Sequence, residues 1–441
     1  MKTLFSFAAV AALIACPVLA MQESETPVES AATAETTQQA EEGTVEEAAE
    51  DPVPQEAEDE AAVAAAPQIE VCFVLDTTGS MSSLIQAAKD KIWSIANQMI
   101  AAEDSPDIKF GLIGYRDRTD EAQSYITVVN ELTSDVDSIY TQLMEFNADG
   151  GGDTPESVNQ ALHEAVTKMD WSEDRNVLKI IFLVGDAPPH MDYDEIQYPD
   201  ICSLAMEKDL IINTIQCGND TETTRIWTEI ARKAEGAFAP IPQDSGVVAI
   251  ATPFDDDINA VNVQLNGTVC GYGDTQMQLA VLSKIEAQAT AESEAIADRA
   301  SFYSEKREWE LANLGSAGAG LGGGGGGRAM AWQNNVITGG GDLVQEIMDG
   351  NISIDDYDAD LLPEELRTMS GEQQREEINS RIEQRTALRE QMDELVRQRN
   401  EFIQEEKERL LAAGEVDAFD QQVQRMIIEQ AAEKGIEYRE R

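Results

Sequence analysis

Short apolar runs alternate with amphipathic stretches from residue 69 to residue 241. The unbroken runs read as strands buried on both faces, expected at 69–75, 108–115, 124–131, 177–184, 210–217 and 237–241. Helical periodicity falls between them, near 83–102, 135–146, 156–169, 199–208 and 222–234, with a further helix at about 255–265. Such alternation predicts an α/β domain, a doubly wound and mainly parallel sheet with helices on both faces. The run at 124–131 is the expected antiparallel edge strand.

Beyond this domain the pattern turns helical. Residues 276–313 carry Leu279, Leu282 and Ile285 on one face, and a glycine-rich stretch follows at 315–328. A phosphate loop would need Gly-Lys-Ser/Thr after its glycines; Arg328-Ala-Met stands there, so the stretch reads as a linker. From Pro363 to about Ala412 the chain predicts a long helix with Ile378, Ile382, Leu388, Met392, Leu395 and Val396 at near-heptad spacing. Arg385, Arg389 and Arg399 intrude on that stripe. Two readings stay open, self-association through the C-terminal helices or folding back onto 276–313 and the α/β domain. Asp355, Asp356, Asp358 and Asp360 lack the glycine and terminal glutamate of a calcium loop and read as a solvated turn.

Charge narrows the partners. With 31 basic and 84 acidic residues the formal charge is −53, which argues against nucleic acid and anionic membrane, since both need a basic surface. Lys2 followed by the apolar Leu4–Ala15 reads as a secretory signal. Cleavage after Val18-Leu19-Ala20 competes with a lipobox, Leu13-Ile14-Ala15-Cys16, that would leave a lipid anchor at Cys16. Either route exports the chain to the periplasm, cell envelope or exterior of a bacterial-type cell. Residues 21–68 hold no Lys or Arg and few large apolar residues, the composition of a disordered acidic tether. The expected organisation is therefore a signal at 1–20, a tether at 21–68, the α/β domain at 69–275, a helical extension at 276–314, a linker at 315–328 and a helical, coiled-coil-like region at 329–441. Export permits disulfides. Of Cys72, Cys202, Cys217 and Cys270, the pair Cys202 and Cys217 is the candidate bridge.

The chemistry concentrates in three loops. The first strand ends Asp76-Thr-Thr78-Gly-Ser80, a D-x-T-x-S spacing that aims one carboxylate and two hydroxyls at one spot. Gly150-Gly-Gly-Asp153-Thr154-Pro155-Glu156 opens a helix, and the fourth strand ends Gly185-Asp186-Ala-Pro-Pro-His190. In an open α/β sheet, loops at the carboxyl ends of strands form the ligand crevice. An all-oxygen donor set suits a hard cation, Mg²⁺ or alternatively Ca²⁺ or Mn²⁺. Only His163 and His190 are present, so a histidine-rich zinc site is excluded.

These residues resemble the von Willebrand factor A domain with its metal-ion-dependent adhesion site. Asp76, Thr78 and Ser80 match its first motif, and Asp186 matches the aspartate after its fourth strand. The middle motif is usually a threonine after a glycine pair. Here Asp153-Thr154-Pro155-Glu156 is similar to the Asp-x-Pro-Glu in the A-like domains of integrin β-subunits, so Thr154 and Glu156 compete for one role. The resemblance implies a module that captures the Asp or Glu carboxylate of a partner protein through the cation. Asp153 then fixes the glycine turn or holds a secondary cation, while Arg116 and His190 stand at the rim, Arg116 facing an acidic partner or an internal acid. Two other classes are open: an assembly protein acting through its C-terminal helices, and a hydrolase of the haloacid-dehalogenase type. The latter needs a second acid two residues after the nucleophile, where Thr78 stands. A non-enzymatic binding module is the expectation.

Overall fold

The computed structural model describes residues 67–83, 85–102, 105–118, 127–150, 154–241, 250–314, 340–413 and 418–438. The expected signal, Cys16 anchor, acidic tether and glycine-rich linker lie outside the described residues. Six strands form one sheet: β1 (Gln68–Asp76), β2 (Asp107–Tyr115), β3 (Thr127–Thr133), β4 (Leu178–Gly185), β5 (Ile211–Cys217) and β6 (Phe238–Ile241), in the order β3-β2-β1-β4-β5-β6. All pairings are parallel except β2 with β3, which is antiparallel as the pattern predicts. Because β1 lies between β2 and β4, chain direction across the sheet reverses there. That reversal opens a crevice at the carboxyl ends of β1 and β4.

The helices are α1 (Ile85–Ile100), α2 (Val136–Glu145), α3 (Val158–Lys168), α4 (Tyr198–Glu207), α5 (Thr221–Lys233), α6 (Asp255–Asn266), α7 (Thr275–Thr290), α8 (Ser293–Leu314), α9 (Leu343–Met348), α10 (Glu364–Arg367), α11 (Gly371–Ala413) and α12 (Ala418–Ala432). Alternate residues of β1 serve opposite faces. Ile69, Val71, Phe73 and Leu75 join the core under α1, α2, α8 and α12, whereas Cys72 and Val74 join the core under α3, α4 and α5. Period-two alternation with both faces covered is why these strands read as continuous apolar runs.

Two expected elements are divided. The predicted helix 276–313 is α7 and α8, broken at Ala291, whose backbone is extended (φ −79°, ψ 153°). The long C-terminal helix begins at Gly371 and not at Pro363, because Ser370 and Gln373 form a reciprocal cap. Ser370 N donates to Gln373 Oε1 at 3.0 Å, and Gln373 N donates to Ser370 Oγ at 3.4 Å. The acidic turn is exposed as expected, and Asp358 caps its short helical turn by accepting from Asp360 N at 2.9 Å.

Helix α11 folds back. Met392 and Val396 pack with Ile258, Val261 and Leu265 of α6 and with Ala297 and Ala300 of α8, and Ile378 packs with Leu343 and Val344 of α9. The arginines that intrude on its stripe answer buried acids. Arg385 donates to Asp342 at 2.6 Å and to Thr268 Oγ1 and O at 2.9 Å, and Arg399 donates to Asp255 at 2.8 Å and Asp298 at 2.7 Å. Arg389 reaches Gln345. In the same way Arg299 of α8 makes a bidentate pair with Asp137 of α2 at 2.6 and 2.7 Å. Helix α12 places Phe419, Val423, Met426 and Ile427 in the sheet's own core.

The expected bridge between Cys202 and Cys217 does not form. All four described cysteines are free and buried. Cys217 points into the core beneath α1 and α12, and Cys202 into the core on the other side of the sheet. The intervening sheet separates the thiols. Among the described residues no helix is long and apolar enough to cross a membrane.

Arg385 and Asp342 are both 0% exposed. Removing one member of such a pair strands the other charge, at a cost of about 3–5 kcal/mol. Arg385→Ala is expected to lower the free energy of unfolding by that amount, read by linear extrapolation of chemical denaturation. A loss below about 1 kcal/mol would show that the pair does not hold the C-terminal helix to the domain.

Candidate metal centre

Strand β1 delivers Asp76 into the crevice and a single helical turn, Gly79–Ser83, follows before α1. Asp76 is 0% exposed. Its Oδ1 accepts from Thr78 N at 2.9 Å and Thr78 Oγ1 at 2.6 Å. Ser80 Oγ donates to Asp186 Oδ1 at 2.9 Å, across the crevice from the loop after β4. Thr78 Oγ1 and Ser80 Oγ stand 3.0 Å apart. Each hydroxyl has one proton, and each has a carboxylate to receive it. Hydroxyl and carboxylate oxygens therefore outnumber the protons available to them here, a surplus of acceptors that suits a cation.

The middle loop arrives by backbone pairing. Glu156 N donates to Pro188 O at 2.9 Å and His190 N donates to Glu156 O at 3.1 Å, tying the segment before α3 to the segment after β4. Glu156 is 4% exposed, whereas Thr154 is exposed. The charges of Asp76, Glu156 and Asp186 all act on the buried Tyr115 hydroxyl, which burial and those charges hold well above its ordinary pKa. Hydrogen bonds thus link Asp76, Thr78, Ser80 and Asp186 directly, and Glu156 lies near enough for its charge to act on the same Tyr115 hydroxyl. Asp153 lies outside the described residues. Glycine makes the approach of the first two loops possible: a Cβ at Gly79 would stand 2.1 Å from Gly150 O.

The carboxylates of this grouping act on one another through their charge. Burial, then the neighbouring Asp186 charge, push Asp76 up to about 7 against the pull of the Thr78 hydrogen bonds. Burial and the charge of Asp220, which caps α5, raise Asp186. Asp76 Oδ2 is buried and makes no well-formed hydrogen bond, only a loose approach from the Tyr115 hydroxyl. An under-satisfied buried carboxylate in a cluster with two hydroxyls fits a hard divalent ion. Among the described residues no three His, Cys, Asp or Glu side chains are spaced as a metal cluster, so hydroxyls would have to complete the donor set.

Two rim expectations need correction. Arg116 is 5% exposed and donates to Thr77 O at 3.2 Å and Asn147 O at 2.9 Å. It braces the first loop from behind and presents no charge to a partner. His190 is also buried: Nδ1 is 2.8 Å from Asp192 Oδ1, Nε2 is 3.5 Å from Asp117 Oδ1, and its ring stacks on Tyr193 at 3.9 Å. Asp117 in turn accepts from Ser157 Oγ at 3.0 Å and from Tyr193 Oη at 2.9 Å. The pattern of strand and loop did not reveal this buried polar layer, although Asp117 follows closely on the second strand.

Residues 70–253 match the von Willebrand factor A domain family. The human von Willebrand factor A domain-containing protein 7 is 35% identical over 123 residues, 28% of this chain and 12% of the relative. The alpha-protein kinase vwkA of Dictyostelium discoideum is 29% identical over 129 residues, 29% of this chain and 20% of the relative. The chain thus spans no more than a fifth of these relatives' lengths. Solved structures similar to it include the zinc-occupied MIDAS form of proximal thread matrix protein 1 from the mussel byssus, at 17% identity and TM-score 0.33 over 41% of this chain and 43% of that one. The SpRpn10 VWA domain matches at 16% identity and TM-score 0.32, over 44% of this chain and 95% of that one. The fold is an open α/β sheet with a crevice at the carboxyl ends of its central strands. The match over residues 70–253 and these relatives support a von Willebrand factor A domain in this chain, a type of domain that generally serves in protein interaction and adhesion.

A carboxyl whose folded pKa is raised holds its proton where the unfolded chain has released it. The metal-free protein therefore loses stability as pH climbs from about 4, through the shift cited for Asp76, to about 7. The cost is on the order of 4 kcal/mol at ~1.4 kcal/mol per pH unit. Asp76→Asn is expected to melt several degrees higher than wild type at pH 8 in chelator, and to match it near pH 4. Equal melting temperatures at pH 8 would show that Asp76 carries no such burden.

Proposed function

We propose that this is a metal-dependent protein-binding module that captures a carboxylate, from Asp or Glu of a partner protein, through a divalent cation. The observation that carries the reading is the chain of oxygens across the crevice, from buried Asp76 to Thr78 at 2.6 Å, from Thr78 Oγ1 to Ser80 Oγ at 3.0 Å and from Ser80 to Asp186 at 2.9 Å. Asp76, Thr78, Ser80 and Asp186 are the proposed donors. The burial of Glu156 and its charge on the same pocket favour it over exposed Thr154 as the middle donor. Mg²⁺ is the proposed ion, with Ca²⁺ or Mn²⁺ as substitutes, because oxygen donors of mixed charge suit a hard cation. Two neutral hydroxyls among the donors leave positive charge on the ion, so a ligand carboxylate gains more than water does. We propose no catalytic step.

Export, to the periplasm, envelope or exterior, belongs to the same reading and rests on the N-terminal pattern of Lys2 and Leu4–Ala15. Assembly through the C-terminal helices is the weaker alternative, because Ile378, Met392 and Val396 of the heptad-like stripe are buried within the chain.

Calorimetry of the full chain with Mg²⁺ is expected to show one site in wild type and none in Asp76→Ala. Glu156→Gln should weaken the ion at least tenfold and Thr154→Val by less than twofold; the reverse pattern would give the middle role to Thr154. Capture of a partner from envelope extract should vanish in EDTA and return with Mg²⁺. Capture unaffected by EDTA but abolished by moderate salt would point instead to attraction between basic partners and the acidic chain.

A further inference from the structure

We propose that Tyr115 is a positioning residue of this centre, its hydroxyl donating to Asp76 Oδ2 and holding that carboxylate in the orientation the cation requires. The inference rests on the metal-binding reading above and adds to it a residue outside the D-x-T-x-S, Glu156 and Asp186 set. Tyr115 ends β2 directly opposite Asp76 at the end of β1, the two being register partners. Its backbone is clamped to the metal loop, since its carbonyl accepts from both Thr77 N and Thr77 Oγ1 at 2.9 Å. The ring is fully buried, and its hydroxyl makes no well-formed hydrogen bond but stands close enough to the Asp76 carboxylate to act on it.

Tyr115 Oη and Asp76 Oδ2, neither in a well-formed hydrogen bond, converge beneath Gly185. A Cβ at that glycine would stand 2.7 Å from Tyr115 Oη and from Asp76 Cβ, and 3.0 Å from Asp76 Oδ2. Gly185 leaves the space that lets donor and acceptor approach one another. A buried phenol without a partner is costly, and a carboxylate that accepts its proton makes a charge-assisted bond of the stronger kind. A phenol keeps its proton at neutral pH and is a donor. Partners that stand behind a metal ligand fix its orientation, and their loss typically lowers metal affinity by about 10–100-fold.

The test compares the full-length wild type with Tyr115→Phe by Mg²⁺ calorimetry and by thermal melting in EDTA. Phenylalanine keeps the ring and removes only the hydroxyl. The expected result is affinity reduced about 10–100-fold with the melting temperature in EDTA unchanged or raised. Affinity within twofold of wild type would overturn the inference. A lowered melting temperature in EDTA together with unchanged affinity would assign Tyr115 a structural role and overturn it equally. Absence of Mg²⁺ binding by wild type would count against the metal-binding reading itself, a separate outcome. Should Tyr115→Phe not fold, 3-fluorotyrosine placed at position 115 keeps the hydroxyl. Its ¹⁹F resonance should shift on saturation with Mg²⁺, and an unmoved resonance would overturn the proposal.

Discussion

The arrangement at the carboxyl end of the sheet depends on one constraint: a carboxylate sits at the end of the central strand with no access to water. Asp76 lies between β2 and β4 at the crevice, under Gly185 and beside Tyr115. Ionising a group in that position is unfavourable unless donors or a cation face it. The two Thr78 bonds supply part of the compensation, and the nearby Asp186 charge works against it. The neighbouring features can be read as consequences. Gly79 and Gly150 let two loops touch, Arg116 braces the first of them from behind, and backbone pairing between Glu156 and the Pro188–His190 segment sets the third loop in place.

Elsewhere the scarce cations of an acidic chain are spent in the interior. Acidic residues outnumber basic ones, 84 against 31. Yet Arg299, Arg385 and Arg399 are buried against Asp137, Asp342 and Asp255. Desolvation makes such pairs poor sources of net stability, though each demands its particular partner. They therefore act chiefly on register. Arg385 and Arg399, on α11, set that helix against the Thr268 and Asp342 segments and against α6, while Arg299 sets α8 against α2. Together with the apolar face of α12 in the sheet's core, these pairs make the C-terminal helices part of the packing of the α/β domain.

Much of this was legible in the sequence, and the limits have physical causes. Buried strands on a parallel sheet carry apolar residues on both faces, so β1, β2 and β4 stand out as runs, and the D-x-T-x-S spacing marks the crevice loop directly. Local signals that depend on a single pair were missed. The Ser370–Gln373 cap and the extended Ala291 divide helices that periodicity alone joins. Tertiary pairing was harder still. Arg385 and Arg399 looked like faults in an oligomerisation stripe because their acids lie 43 to 144 residues away in sequence. Cys202 and Cys217 looked adjacent because position along the chain does not say which face of a sheet a side chain takes; they take opposite ones. The buried hydroxyl of Tyr115 could not be read at all from an apolar strand ending in tyrosine.

The surroundings of the crevice bear on what kind of ligand the proposed centre would select. Asp149, Asp192, Asp194 and Asp220 are exposed on the loops around it, and Arg118 is engaged with Glu195 and with the Tyr193 ring. A bare carboxylate approaching such a rim is repelled at long range, and at physiological salt that repulsion fades beyond about 8 Å. Only at contact would the cation reverse the sign. Affinity would then come from the short-range metal bond and discrimination from the rim, so an acidic residue flanked by basic ones fits better than an acidic stretch. The exposed acids around the crevice would thus bear on which carboxylate reaches the ion, and a centre built from hydroxyls and few carboxylates leaves the ion enough charge to overcome them at close range.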